Sequence, residues 1–459
     1  MDVLTHSILP FVGILLALVI VHEAGHYFTA KLFGVKVLEA GVGFPPKVAG
    51  FRWHDTDYTL NLLPLGAFVR MLGEEDPTDP QSLAAQPKWK RTIIIGAGAF
   101  MNLVLAIALF TVALMLPREI SAGGATVTNV VPDSPAARAG LQPGDQITAV
   151  NGRKAESQQD AAYLVRLNQG STIDFTVKRN DPRTGTQIVH VNDVYARWNP
   201  KPYTDDCGVK QPQGPTGIQI GATSTYPISR TPQELADLER SQRTGFADYK
   251  KLIASDAPGW CYSGSGFGFV PLNAAQCSDL EPEDRAKAEA LKSELFANTG
   301  ASCYEFQPPQ AFEVRTRTRS EAPWVAAPHA VRLSFESLIL TRNQLWSLVR
   351  GYGGAPITGP VGIAQATGEV VNEAGWWSLI DLAASISMSL AILNILPIPM
   401  VDGGRLVFIL IEFLRGGRRV APQKEALVHL IGFAAMLVFA AVITYFDIAR
   451  IFNGDSLLR

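Results

Sequence analysis

Cysteine is scarce in this chain: Cys207, Cys261, Cys277 and Cys303 are all it has in 459 residues, and none lies in an apolar stretch. Their spacings match no zinc knuckle. Clustering in one polar segment suggests disulfides formed in an oxidising compartment, four unpaired thiols being the other reading. Basic blocks interleaved with aromatics are also missing, and the net charge is only -2. No nucleic-acid partner is expected on that footing. Met1 to His6 has no basic residue, and no small-residue cleavage site follows the first apolar run. That run therefore reads as a retained span and not as a signal peptide. What the chain does have is apolar residues, 47% of the total with a mean hydropathy of +0.12. The excess over a soluble protein is concentrated in a few stretches, and the length allows two or three domains.

A bilayer core needs roughly 20 apolar residues in helical form. Ile93 to Leu116 carries no charge at all, and Ala426 to Phe446 is nearly as clean, with His429 near its start. Ile8 to Phe33 is apolar apart from His22, Glu23, His26 and Lys31, and Leu379 to Val401 holds Asp381 near one end and a proline-rich close. Four spans follow. Lys36, Lys47, Arg52, Arg70, Lys88, Lys90 and Arg91 lie between the first two, and Arg405, Arg415, Arg418, Arg419 and Lys424 between the last two. By the bias of Lys and Arg toward the cytoplasm, both loops are cytoplasmic. The long middle segment, both termini and every cysteine are then external.

His22-Glu23-Ala24-Gly25-His26 places two imidazoles four apart on one helix face, where they can share a metal. The adjacent Glu23 can take a proton from a metal-activated water, whose pKa zinc brings to about 7. Buried in an apolar helix, these three groups cost a few kcal/mol, so they need a functional or pairing reason. A polar patch binding another helix is the blander one. Catalytic zinc usually takes three protein ligands and leaves one position open. The third is expected in Asn394-Ile395-Leu396-Pro397-Ile398-Pro399-Met400-Val401-Asp402-Gly403-Gly404-Arg405. Two prolines break the helix there and two glycines permit tight turns. Irregular backbone at membrane depth is tolerated only inside protein or along a watery cavity. Asp402 is the candidate ligand, a helix-end cap being the plainer role. Asn394 has free amide groups for an extended peptide or for an interhelical hydrogen bond. The ligand types suit zinc, although another divalent ion could use them.

HEAGH in one span and a proline-flanked Asp-Gly in a later one resemble the site-2 protease family. Within that family the order of parts is most similar to the bacterial regulators of sigma-E proteolysis. The resemblance implies His22, His26 and Asp402 as zinc ligands, Glu23 as general base, and Asn394, Pro397 and Pro399 as substrate-binding residues. Gly359-Pro360-Val361-Gly362-Ile363 and Gly96-Ala97-Gly98-Ala99-Phe100-Met101-Asn102 also match, though the family often has proline where this chain has Ala97. Short β-like runs between Val35 and Met71 read as a hairpin; the resemblance implies a membrane-associated sheet that pairs with an unwound substrate. Gly140-Leu141, Gly144-Asp145, Ile147 and Asn151-Gly152 resemble a bacterial PDZ domain, either a peptide binder or a steric filter.

The fold expected is a polytopic α-helical membrane protein: four transmembrane helices, a membrane-associated β-sheet and an extracytoplasmic PDZ (α+β) domain. Its parts are residues 1–116, a membrane part with β segment 35–71; 122–198, the PDZ domain; and 199–328, a cysteine-containing insertion readable as part of a second, degenerate PDZ module. Residues 330–375 then hold an amphipathic helix (Val331 to Arg350) and the GPVGI run, and 376–459 the last two spans. The function implied is a zinc metalloendopeptidase of regulated intramembrane proteolysis, acting in the bacterial inner membrane with its active site toward the cytoplasm. Expected partners are the bilayer and single-span substrates such as anti-sigma factors or remnant signal peptides, cut by a monomer. A catalytically silent PDZ scaffold has no need to bury His22, Glu23, His26 and Asp402. A metal-ion carrier would carry more intramembrane acids and histidines.

Overall fold

The computed structural model describes residues 4–74, 76–121, 124–181, 185–204, 210–211, 213–222, 225–227, 262–263, 268–269, 312–314, 316–350 and 359–452. Two compact units emerge: residues 1–117, 320–338 and 355–459 form one, and 118–319 with 339–354 the other. Cys207, Cys261, Cys277 and Cys303, the helical run Asp279 to Ala297 and most of the insertion lie outside the described residues.

The first unit opens with a π-helical turn, Leu4–Ile8, running into α1 (Leu9–Leu32), whose second residue is Pro10. Two long strands follow, β1 (Val37–Trp53) and β2 (Thr56–Met71), in place of the short runs expected. Their register falls into three ladders: Trp53↔Thr56 to Lys47↔Asn61, Glu39↔Asp57 to Phe44↔Leu63, and Val37↔Met71 to Val42↔Ala67. The pair thus folds back on itself, and its middle rows bond on both edges. Next comes α2 (Lys88–Met115), whose Gly and Ala residues allow close packing. Val35, Val37, Met71, Leu83, Ile94, Ile95 and Ile409 bury a common core beneath these elements.

The second unit is an antiparallel sheet with two short helices. β3 (Arg118–Ser121) pairs with the strand Thr316–Arg319. β4 (Ala125–Val130), α3 (Pro135–Ala139), β5 (Gln146–Val150), β6 (Arg153–Lys154), α4 (Gln158–Leu167), β7 (Thr172–Asp181) and β8 (Gly185–Tyr195) follow in sequence. After the small ladder β9 (Tyr203–Thr204) and β10 (Lys210–Gln211), the chain returns as β11 (Ile218–Ala222). The order across the sheet is β11-β4-β5-β7-β8, with β6 on β5. The sheet therefore draws in a strand from beyond residue 198, because β4 pairs with it from Val130↔Ile218 to Ala125↔Ala222.

Local chemistry explains the helices and turns of this unit. Ser134 and Ser157 cap α3 and α4 through their hydroxyl oxygens. Asn151 and Gly152 both have positive φ, the two-residue hairpin turn their sequence expects. Buried Asp145 accepts from the Arg179 guanidinium at 2.7 Å and raises that group above its ordinary value. The core behind them is Phe175, Ile147, Ile173, Val127, Val150 and Val177.

α5 (Pro323–Val349) covers the expected amphipathic segment and begins earlier than Val331. Within the second unit, its Asn343 donates to the Arg166 and Leu167 carbonyls at the end of α4. α6 (Pro360–Ala374) starts in the GPVGI run, and α7 (Leu379–Ile395) is the third long apolar segment. The last helices are α8 (Asp402–Leu414) and α9 (Pro422–Phe452). Buried Asp447 of α9 accepts from the Gly359 and Gly362 amides, 2.9 and 2.8 Å away, so a carboxylate meets the positive start of α6.

Four helical segments are long and apolar enough to cross a membrane: Leu4–Leu32, Lys88–Met115, Trp376–Ile395 and Gln423–Ile451. They coincide with the four expected spans, the third being shorter. It stops at Ile395 because Pro397 and Pro399 follow. The two glycines behave otherwise than expected. Gly403 and Gly404 make no turn; they sit in the first turn of α8. A Cβ on Gly403 would lie 2.0 Å from the Leu396 carbonyl oxygen, so glycine is needed there for close approach. The turn itself falls on Met400, at φ 87.

Candidate metal centre

Three side chains distant in sequence meet in the first unit. His22 and His26 leave one face of α1 with ring centroids 4.8 Å apart. Asp402 is the first residue of α8, directly after the proline break. His22 Nε2 lies 3.1 Å from Asp402 Oδ2, His26 Nε2 lies 3.2 Å from it, and the two Nε2 atoms are 3.2 Å apart. These triangle edges are close to those of a tetrahedron around zinc with ligands at 2.0–2.1 Å, roughly 3.3 Å. Asp402 Oδ2 is buried without a hydrogen-bond donor among the described residues. Three lone pairs aimed at one point repel unless a cation sits among them, so the donor set fits a divalent metal. No other cluster of three or more such ligands occurs among the described residues.

The walls of the site come from α2. A Cβ on Gly98 would stand 2.4 Å from His26 Nε2 and 2.5 Å from His22 Cε1. Across the same interface a Cβ on Gly25 would meet the Ala97 carbonyl oxygen at 2.5 Å. Both glycines let α1 and α2 touch at backbone distance. His26 Nδ1 lies 2.8 Å from the Ile94 carbonyl, the partner that fixes its ring. Asn102 Nδ2 lies 3.3 Å from His22 Nδ1.

Glu23, next to His22, lies close enough to His22, His26, Asp402 and the Val69 backbone of β2 to interact electrostatically with each. The sheet thus reaches the site through its backbone. Asn394, on the last turn of α7, has Nδ2 3.5 Å from His22 Nδ1. Pro399 lies where a Cβ on Gly432 of α9 would stand, 2.4 Å from its own Cβ, and Pro397 is exposed in the break. Met400 N–H donates to His429 Nδ1 at 2.8 Å, tying that break to α9.

The basic loops also come together. Arg91 and Glu412 form a buried pair at 2.7 Å, Arg405 meets Glu74 at 2.8 Å, and Arg419 donates to the Ala84 carbonyl. The loop after the sheet and the loop after α8 therefore lie on the same side of the helices.

Sequence reasoning singled out the two histidines, Glu23 and Asp402, whose motif spacing is visible. Spacing alone assigns no role to Gly98 or to the Ile94 carbonyl. The small-residue run Gly96 to Ala99 was the available signal for the first.

Comparison with known proteins bears on the whole chain. A protein of Thermotoga maritima, whose name describes it as a candidate zinc metalloprotease, is 28% identical over 502 aligned positions, covering 96% of this chain and 99% of the relative. Similarly described proteins of Neisseria meningitidis and Ralstonia nicotianae are each 29% identical, covering 97% of this chain and 99% of each relative. The model of Peptidase family M50 matches residues 10–439, nearly the full length and every residue of the centre. The chain is a multi-pass membrane protein that belongs to peptidase family M50, the family of the site-2 proteases.

Proposed function

We propose that this protein is a zinc metalloendopeptidase that cleaves transmembrane segments of single-span membrane proteins from within the bilayer. The observation carrying this reading is the triangle of His22 Nε2, His26 Nε2 and Asp402 Oδ2 set among helices of membrane-crossing length. When bound there, zinc supplies the Lewis acidity that makes water a nucleophile at neutral pH. Glu23 accepts the proton that the attacking water gives up and returns it to the amide nitrogen released on cleavage. Asn394 presents its amide beside His22 and takes the backbone of the extended substrate, with Pro397 and Pro399 keeping that stretch of chain open.

A helical substrate hides its peptide bonds in its own hydrogen bonds, so it must unwind before attack. The β1–β2 sheet supports this step. Phe44, Val48, Phe51, Trp53, Leu60 and Leu62 are exposed on it, as suits a sheet in contact with lipid, and its outer row can pair with an unwound strand. In the second unit, the Gly144-Asp145 and Asn151-Gly152 turns and the two capped helices support the PDZ reading. The Ile220 carbonyl of edge strand β11 already accepts from Gln158 at 2.7 Å, which favours a steric filter over peptide capture. The contact between the two basic loops is consistent with one cytoplasmic face. By resemblance, the protein works in a bacterial inner membrane on anti-sigma factors or remnant signal peptides.

The deciding experiment compares wild type with Glu23→Gln on a tagged single-span substrate, with zinc measured in both. Cleavage should fall by about 10²–10⁴-fold, the usual contribution of general base catalysis, while zinc is retained. Equal cleavage by the two proteins would reject Glu23 as the base.

A further inference from the structure

We propose that Asn102 is a positioning residue of the metal centre: its side-chain oxygen accepts the Nδ1 proton of His22 and so fixes Nε2 as the ligating nitrogen. The inference rests on the metal reading above and extends it to a residue outside the ligand set.

The two imidazoles provide the contrast. A neutral ring carries one proton, so a ring that ligates through Nε2 carries it on Nδ1 and needs an acceptor there. His26 has one, the Ile94 carbonyl at 2.8 Å. That carbonyl is reachable because Gly98, one turn further along α2, has no side chain to cover it. His22 has no backbone carbonyl in this role among the described residues. Its Nδ1 faces two side-chain amides, Asn102 at 3.3 Å and Asn394 at 3.5 Å.

Asn102 is the better suited of the two. It is only 1% exposed, whereas Asn394 is half-buried at the end of α7. The Ser387 hydroxyl of α7 donates to the Asn102 backbone carbonyl at 2.8 Å, which fixes this turn of α2 against α7. Most tellingly, Asn102 Oδ1 is buried with no hydrogen-bond partner among the described residues. The two ends of a side-chain amide exchange by half a turn about the terminal torsion. That rotation brings the unpaired oxygen onto the Nδ1 proton, forming a bond where two N–H groups would otherwise face each other. Both second partners of the histidines then come from α2, eight residues apart, while the ligating nitrogens point toward α8. Asn394 is left free to bind the substrate backbone.

The test measures zinc affinity of the full-length protein in detergent by competition with a chromophoric chelator. It covers wild type, Asn102→Ala, Asn102→Asp and Asn394→Ala, with thermal unfolding under excess chelator as a check on folding. Removing a second-shell partner of a metal-bound histidine typically costs 10–100-fold in affinity, and Asn102→Ala should fall in that range. Asn102→Asp, which keeps an acceptor, should bind as wild type or more tightly, and Asn394→Ala should bind as wild type. Wild-type affinity in Asn102→Ala, or equal weakness in Asn102→Asp, overturns the proposal. Should the alanine variant fail to fold, the aspartate variant alone decides. A wild type that takes up no zinc sinks the metal reading and this proposal with it. A wild type that binds zinc beside an equally avid Asn102→Ala sinks this proposal alone.

Discussion

Helices α2 and α9 are both long enough and apolar enough to cross a membrane, yet they occupy opposite environments. α2 buries Ile94, Ile95, Ala97, Gly98, Ala99 and Asn102 against its neighbours. Along α9, Leu427, Leu430, Ile431, Leu437, Val438 and Phe439 are all exposed. Hydropathy finds both helices and cannot tell them apart, because lipid and protein interior are equally dry. What separates them is how their small residues are grouped. Without a hydrophobic drive between helices in lipid, close packing depends on small residues that let backbones touch. α2 gathers Gly96, Ala97, Gly98 and Ala99 in one run that meets α1, whereas the glycine and alanines of α9 are spread from Ala426 to Ala449 among exposed bulky side chains.

The largest test of that contrast is Gly98→Ala. Its new Cβ would stand within 2.6 Å of both imidazoles, and no flexible side chain is available to yield. Misplacing a reacting group by about 1 Å can cost 10²-fold in rate, and a loss of that order is expected together with weaker zinc binding. Full activity and full zinc content in this variant would show that α2 does not shape the centre.

Next in size is Glu412→Gln, which leaves Arg91 at the start of α2 buried without its carboxylate. Removing one partner of a buried ion pair costs about 3–5 kcal/mol. A markedly lower unfolding midpoint in detergent is expected, restored in part by adding Arg91→Met to the same protein. Smallest is Leu437→Ala on the exposed face of α9, where a change away from packed features stays within about 0.5 kcal/mol. An unfolding midpoint lowered as far as that of Glu412→Gln would mean that α9 is packed against protein in the membrane, and the comparison would fail.

Much of the centre was legible because its chemistry is local. His22, Glu23 and His26 share one helical turn and a half, so 3.6 residues per turn alone puts the imidazoles together. Asp402 was legible as a carboxylate beside a proline break. The surrounding contacts were not. Nothing in the sequence says that the Ile94 carbonyl meets His26 or that Asn102 faces His22. Gly403 shows the same limit from the other side: read alone it is a turn residue, and in the fold it is a helical residue pressed on the Leu396 carbonyl. The β1–β2 sheet was legible as strands but not as a doubled-back pair, since register depends on which rows find one another.

By itself the sequence determined four apolar spans, a two-histidine helix face and a basic bias in two loops, because each depends on residue type and on spacing along one segment. Only the tertiary structure decided that α1, α2 and α8 enclose a common point and that the Nδ1 atoms of both imidazoles look toward α2. Those outcomes follow from how closely helices can approach, which is fixed by the side chains absent at Gly25, Gly98 and Gly403, and they bring His22 to Asp402, 380 residues away (402 − 22).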